Sequence, residues 1–342
     1  MGGAFALDDA PLAPRPLDAS GSVELAVLER SGMIESRHLG AAVVVAPDGS
    51  VLREFGNADA VVYPRSALKP LQAIAVLRSG LQLDGERLAL AMASHTGTAR
   101  HIAVVHDILA AAGLDEGALQ CPADWPGDAD SAFVARAEGL GKRRTAMNCS
   151  GKHAAFLAAC VRNDWPVGGY LDPAHPLQQL VRATVEEFTG EAIAHLGVDG
   201  CGAPLFAVTL RGLATAIGRV AGSPVGNPTS PAARLVSAVI ANPWAIDGPG
   251  EPNTVITERL GLFAKEGAEG VMVLGAPDGT AVALKMLDGS PRAIFLVALG
   301  LLASAGVVDA DRARGVAAEV TEPVLGHGVP VGELRLSNAV AV

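Results

Sequence analysis

The stretch Gly270–Leu287, GVMVLGAPDGTAVALKML, is the one on which the architecture turns. Two short apolar runs rich in Val and Leu flank Asp278-Gly279, a hairpin signature. Strands therefore return late in the chain. Near the other end, from Ser22, VELAVLERSG, ESRHLGAAVVVAP and SVLREFG are also short and β-branched, divided by the turn pairs Ser31-Gly32 and Asp48-Gly49. Helical spacing fills the middle. It predicts helices at about residues 67–79, 101–112, 131–138, 150–162, 177–188, 203–220 and 232–241. The series Leu177, Leu180, Val181, Val185, Phe188 follows the 3.6-residue period closely. An apolar helix from about Arg292, a short one near Asp309–Val320 and a last strand in GELRLSNAVAV close the chain. No βαβ alternation is present, which argues against a doubly wound sheet. The expected fold class is α+β: an antiparallel sheet built from N- and C-terminal strands, with a helical region of about 67–260 inserted between them. Residues 1–20 read as a flexible leader and 21–342 as a single catalytic domain.

Of 342 residues, 50% are hydrophobic and 18% charged, enough apolar material for a large core and too much for disorder. The formal charge of −10 arises from 36 acids against 26 bases, and the only dense basic run is Lys142-Arg143-Arg144. This composition argues against a nucleic-acid partner. The longest apolar stretch, Ala293 to Ala303, falls short of the roughly 20 residues that cross a bilayer, so no membrane span is expected. The leader carries two acids before its first base and no apolar core, so it does not read as a secretory signal, and a cytoplasmic location is expected. Cys121, Cys149, Cys160 and Cys201 are then expected as thiols or ligands. Only five cations are lysines: Lys69, Lys142, Lys152, Lys265 and Lys285. Lysine, unlike arginine, can lose its proton inside a protein.

Five segments carry chemistry. In Tyr63-Pro64-Arg65-Ser66-Ala67-Leu68-Lys69-Pro70, the second proline belongs in a helix first turn, which puts Ser66 and Lys69 one turn apart. The apolar LQAIAVL that follows buries the helix. A desolvated amine beside a hydroxyl is a general base beside a nucleophile. Ser66 equally fits an N-cap, with Lys69 at the surface. Ala93-Ser94-His95-Thr96-Gly97 presents hydroxyls on a loop, or is simply a capped turn. In Met147-Asn148-Cys149-Ser150-Gly151-Lys152-His153, the face 149, 152, 153, 156, 160 reads Cys, Lys, His, Phe, Cys, and Cys149 with His153 has metal-ligand spacing. Asp199-Gly200-Cys201-Gly202-Ala203-Pro204 allows close backbone approach at a cysteine that could join Cys149 at a metal. Lys285 lies in the strand TAVALKML, between Ala283 and Leu287 on an inward face, whereas Lys142 and Lys265 sit in charged contexts that read as surface. His38 reads as structural or as lining a cleft; His101, His106, His175, His195 and His327 have no partner apparent in the sequence. Cys121 and Cys160 read as buried thiols.

In this order, PRSALKP, ASHTG, NCSGKH, VDGCGAP and ALKM resemble the L-asparaginase II family, the rhizobial-type asparaginases, from about Val23 to the C-terminus. The resemblance implies a serine β-lactamase-like and glutaminase-like fold, and hydrolysis of L-asparagine to L-aspartate and ammonia. It implies a first catalytic pair, Ser66 and Lys69, and a second serine, Ser94, served by Lys285. It implies zinc, one per chain, on Cys149, Lys152 and Cys201, with Lys152 neutral as a ligand. It places Arg65, His153 and Asp199 near substrate or metal, and suggests a homodimer. Competing expectations are a glutaminase or penicillin hydrolase, and a zinc-binding scaffold without catalysis.

Overall fold

The computed structural model describes residues 15–340. In chain order its elements are β1 (Val23–Arg30), β2 (Met33–Val45), β3 (Val51–Phe55), β4 (Val61–Val62), α1 (Lys69–Arg78), α2 (Gly85–Leu90), α3 (Ala99–Ala111), α4 (Ala129–Ala137), α5 (Ser150–Arg162) and α6 (Pro176–Thr189). There follow β5 (His195–Val198), β6 (Pro204–Thr209), α7 (Leu210–Ala221), α8 (Ser223–Gly226), α9 (Pro231–Ala241), α10 (Pro252–Leu260), β7 (Phe263–Gly267), β8 (Val271–Gly275) and β9 (Ala281–Met286). Last come α11 (Ile294–Ser304), α12 (Ala310–Val320), β10 (Val324–Gly326) and β11 (Val329–Leu336).

Both chain ends build one eight-stranded antiparallel sheet, in the order β10-β11-β1-β2-β9-β8-β7, with β3 paired to β2. Val27 lies opposite Arg335, and Val43 opposite Ala283. The Asp278-Gly279 hairpin forms as expected, its turn closed by the Ala276 amide donating to the Thr280 carbonyl at 2.8 Å. One sheet face, with Val43, Val273 and Ala283, packs into a core shared with α1, α5 and α7. The other, with Val44, Leu274 and Leu284, packs against α11 and α12. Covering both faces explains why β8, and β9 apart from Lys285, are apolar rather than alternating. The apolar helix α11 is buried in this second core. No helix among the described residues is long and apolar enough to cross a membrane.

Three expectations change. The single helix expected at 203–220 is a strand, β6, followed by α7. PLFAVT is almost wholly buried between β4 and β5, and such a run fits strand or helix equally by pattern. The Thr209 side chain then accepts from the Gly212 amide and starts α7. Second, the end of the expected leader is tied to the fold: Pro16 bridges to Val61, whose amide donates to the Arg15 carbonyl at 2.9 Å. The rest of the expected leader, residues 1–14, lies outside the described residues. Third, Ser66 makes no capping bond. It sits in a 3₁₀ turn, Arg65–Leu68, that runs directly into α1 with Pro70 in the first turn. The β7–β8 hairpin presses on that turn. A Cβ on Gly267 would stand 2.3 Å from the Pro64 carbonyl oxygen, so only glycine permits the approach.

Candidate active site

Lys69 opens α1 and is 1% exposed. Its Nζ donates to the Ala93 carbonyl at 2.6 Å and to Ser94 Oγ at 2.9 Å. The buried amine is thus joined to the second serine across the fold and follows the first by three residues. Both serines are partly exposed while Lys69 is not, so a substrate meets hydroxyls before it meets the amine.

The loop that delivers Ser94 is held rigidly. The Ser94 amide donates to the Ile246 carbonyl at 3.0 Å and the Thr96 amide to the Asp247 carbonyl at 2.7 Å. His95 is buried beneath it, and the Gly97 amide donates to its Nδ1, which leaves the proton on Nε2. Nε2 then donates to Ser150 Oγ at 2.8 Å, and Ser150 donates to the Thr145 carbonyl. Burial, then the nearby His101 and Lys69, holds His95 well below the usual imidazole range, so this ring is a neutral strut.

At the mouth, Arg65 Nε donates to Asp199 Oδ1 at 2.8 Å. Arg65 has φ +51°, the left-handed region that costs a non-glycine residue roughly 1–3 kcal/mol, and the ion pair helps hold it there. Burial works to raise the Asp199 carboxyl, but Lys152 and Arg65 together hold it below the usual carboxylate range. A matched plus and minus therefore stand ready beside Ser66.

Cys149, Lys152 and Cys201 converge as expected. Lys152 Nζ donates to Cys201 Sγ at 3.1 Å, and Cys149 Sγ donates to Asn148 Oδ1 at 3.2 Å. The neighbouring Cys201 thiol holds Cys149 well below the ordinary thiol range, and Cys149 in turn raises Cys201. Burial works to lower Lys152, but Cys201 and Cys149 beside it raise it above the usual lysine range. His153 Nδ1 bonds Tyr170 Oη at 2.8 Å, while its buried Nε2 has no hydrogen-bond partner. Burial pushes His153 down to about 4, against the pull of Cys201. Two thiols, an amine and an orphaned imidazole nitrogen make a soft donor set that suits zinc. Among the described residues, no three His, Cys, Asp or Glu side chains form a metal cluster; the third member of this set is a lysine. All four cysteines are free, and burial pushes Cys121 and Cys160 up to about 11.

Lys265, read from the sequence as surface, is fully buried. It faces inward from β7 on the same side as Phe263 and Gly267, and the charged neighbours that suggested exposure lie off that face. Its Nζ donates to the Glu266 carbonyl at 2.8 Å. Burial, then the charge of Lys69, pushes it down to about 8. Two amines, Lys69 and Lys265, are thus buried, and the charge of Lys69 is felt at Lys265. Sequence reading also missed Asp247, which is buried and raised by that burial against the pull of Lys265. Lys285 shares the inward sheet face but lies elsewhere along it, opposite Val271. Its Nζ donates to the Glu269 and Met286 carbonyls at 2.6 and 2.5 Å, not to Ser94. His38 is buried near Asp288 and Arg292, with neither ring nitrogen hydrogen-bonded, away from this cluster.

A serine hydroxyl on a buried amine, beside a second accessible serine, is the equipment of an acyl-transferring hydrolase. The chain belongs to the L-asparaginase II family, whose model matches residues 26–336, and on that membership it is an amidohydrolase. No curated protein matches it in sequence. Among solved structures it is similar to Mglu, at 14% identity over 80% of this chain and 68% of that one, with a TM-score of 0.42. Across the Mglu structures the chain spans 61% to 68% of their length. It is also similar to a β-lactamase from Mycobacterium bovis (17% identity, 83% of this chain, 95% of that chain, TM-score 0.42). A third likeness is to Bacillus glutaminase (13% identity, 78% of this chain, 91% of that chain, TM-score 0.42).

Proposed function

We propose that this amidohydrolase hydrolyses L-asparagine to L-aspartate and ammonia by double displacement. The observation that carries the reading is the buried Lys69 amine on Ser94 Oγ, directly behind the Ser66 turn. Ser66 Oγ attacks the side-chain amide carbonyl and its proton passes to Lys69. The C–N bond breaks, and the proton reaches the departing nitrogen through Ser94, so ammonia leaves. Water then cleaves the serine ester and releases aspartate. Burial, then the charge of Lys69, pushes Lys265 down to about 8, so this second amine can take up and give back a proton near neutral pH. Asp199 takes the substrate α-amine and Arg65 its α-carboxylate, each exchanging the other for the zwitterion.

Cys149, Lys152 and Cys201 are the residues that would hold zinc, with His153 beside them. Bound there, zinc supplies a fixed positive charge tying the start of α5 to the 199–202 turn. We expect elemental analysis to find about one zinc per chain and Cys149→Ser to lose it; full metal content in that variant would remove the ligand assignment. Light scattering checks the homodimer that the family resemblance implies.

A coupled ammonia assay on asparagine and glutamine in parallel tests the reaction. Faster release from asparagine supports the reading; glutamine preference makes the chain a glutaminase, and no release from either leaves a zinc-binding scaffold. The rate should also depend on pH. As the second amine of the proton path, Lys265 must be neutral to accept a proton, and its neutral fraction grows as pH rises through about 8. Hence kcat/KM should climb between about pH 6.5 and about pH 9, and a flat profile over that span would count against an amine base.

A further inference from the structure

The Ser94 loop and the Lys265 strand belong to distant parts of the chain, and one asparagine ties them together. Asn253, in the first turn of α10, is completely buried. Its Nδ2 donates to Asp247 Oδ2 at 2.8 Å, and its Oδ1 accepts from the Glu266 amide at 3.0 Å. β7 is the last strand of its sheet, so that amide points away from β8 and needs a partner. The Asp247 carbonyl accepts from both the amide and the Oγ1 of Thr96, and the Ile246 carbonyl accepts from the Ser94 amide. Lys265 Nζ in turn donates to the Glu266 carbonyl. The path runs Ser94, Ile246-Asp247, Asn253, Glu266, Lys265, and Lys69, which donates to Ser94 Oγ, is near enough to Lys265 for its charge to be felt there. The charged groups facing Lys265 are Lys69 from α1, Asp247 from the loop before α10, Cys149 from the start of α5 and its neighbour Glu266.

We propose that Asn253 and Asp247 form a positioning clasp that sets the Lys265 strand against the Ser94 loop. Neither residue touches the reacting atoms; they act by holding the second buried amine in place. The clasp rests on the serine–lysine reading above, though not on which amide is the substrate.

The test uses the full chain and two readouts: asparagine turnover, and the rate of labelling by a fluorophosphonate, which reports serine reactivity whatever the natural substrate. Asn253→Ala and Asp247→Ala are each made alone and on a Lys265→Met background. Both should lower kcat and the labelling rate by about 10- to 100-fold, the scale of a roughly 1 Å misplacement, with KM little changed. On the Lys265→Met background neither should cost more than about twofold, because the group they position is gone. Losses that add fully on that background, wild-type rates in both variants, or failure of both to fold would each overturn the clasp. A wild-type chain that labels but releases no ammonia from asparagine or glutamine removes the substrate reading and leaves the clasp to be judged by labelling. A wild-type chain that does neither removes both.

Discussion

Lys69→Arg should lower asparagine kcat/KM by about 10²- to 10⁴-fold, the range expected when a positioned general base is lost. The substitution keeps the positive charge, and that is its value. A lysine that served only to attract substrate would be replaced well by arginine. A lysine that must accept a proton would not, because guanidinium does not deprotonate in proteins. The site is also closed to a larger head: Lys69 is 1% exposed and its Nζ already contacts the Ala93 carbonyl and Ser94 Oγ. Lys69→Met removes the steric objection, since methionine follows the same stem and leaves no charge to bury, and it should be as inactive. The check is ammonia release at matched protein concentration, with thermal melts on each variant. Activity above about a tenth of wild type in the folded arginine variant would end the role of Lys69 as base.

Much of this was legible because two kinds of signal are local. Strand and turn chemistry announced the Asp278-Gly279 hairpin, and hairpins at both ends of a chain leave few ways to make one sheet. The five motifs carried Ser66, Lys69, Ser94 and the thiol set to one place in the fold. Other features depend on what lies across the molecule. PLFAVT is a strand because β4 and β5 flank it, not because of its own pattern. Lys265 looked exposed because Glu266 and Glu269 stand near it in sequence, but β7 turns alternate residues to opposite sides and the lysine took the inner one. The partner of Lys152 was out of reach in the same way: Cys201, to whose Sγ its Nζ donates, arrives from 49 residues away. Asn253 has no sequence signal at all: an asparagine after a proline in a helix first turn is ordinary, and its importance comes from bonding Asp247 and β7 at once.

The contrast between Lys265 and Lys285 separates family pattern from geometry. The ALKM motif assigns the second amine to Lys285, whereas burial and the charge of Lys69 single out Lys265. Lys265→Met should lower kcat by about 10²-fold or more, and the rise in rate through about pH 8 should move or disappear, since the group that titrates there is gone. Lys285→Met should behave differently. Its amine holds the Glu269 and Met286 carbonyls, and Glu269 stands 4.0 Å from Arg65 at the mouth. Loosening that turn disturbs the residue proposed to hold the substrate carboxylate, so KM should rise while kcat and the pH limb stay near wild type. Both variants remove one charge and replace it with a side chain of similar length, so a general effect of lost lysine cannot produce opposite splits. Steady-state kinetics across pH on the pair decides the matter. If Lys285→Met abolishes the limb and Lys265→Met preserves it, the second amine of the reaction is Lys285, and the proximity of Lys265 to Lys69 reflects packing alone.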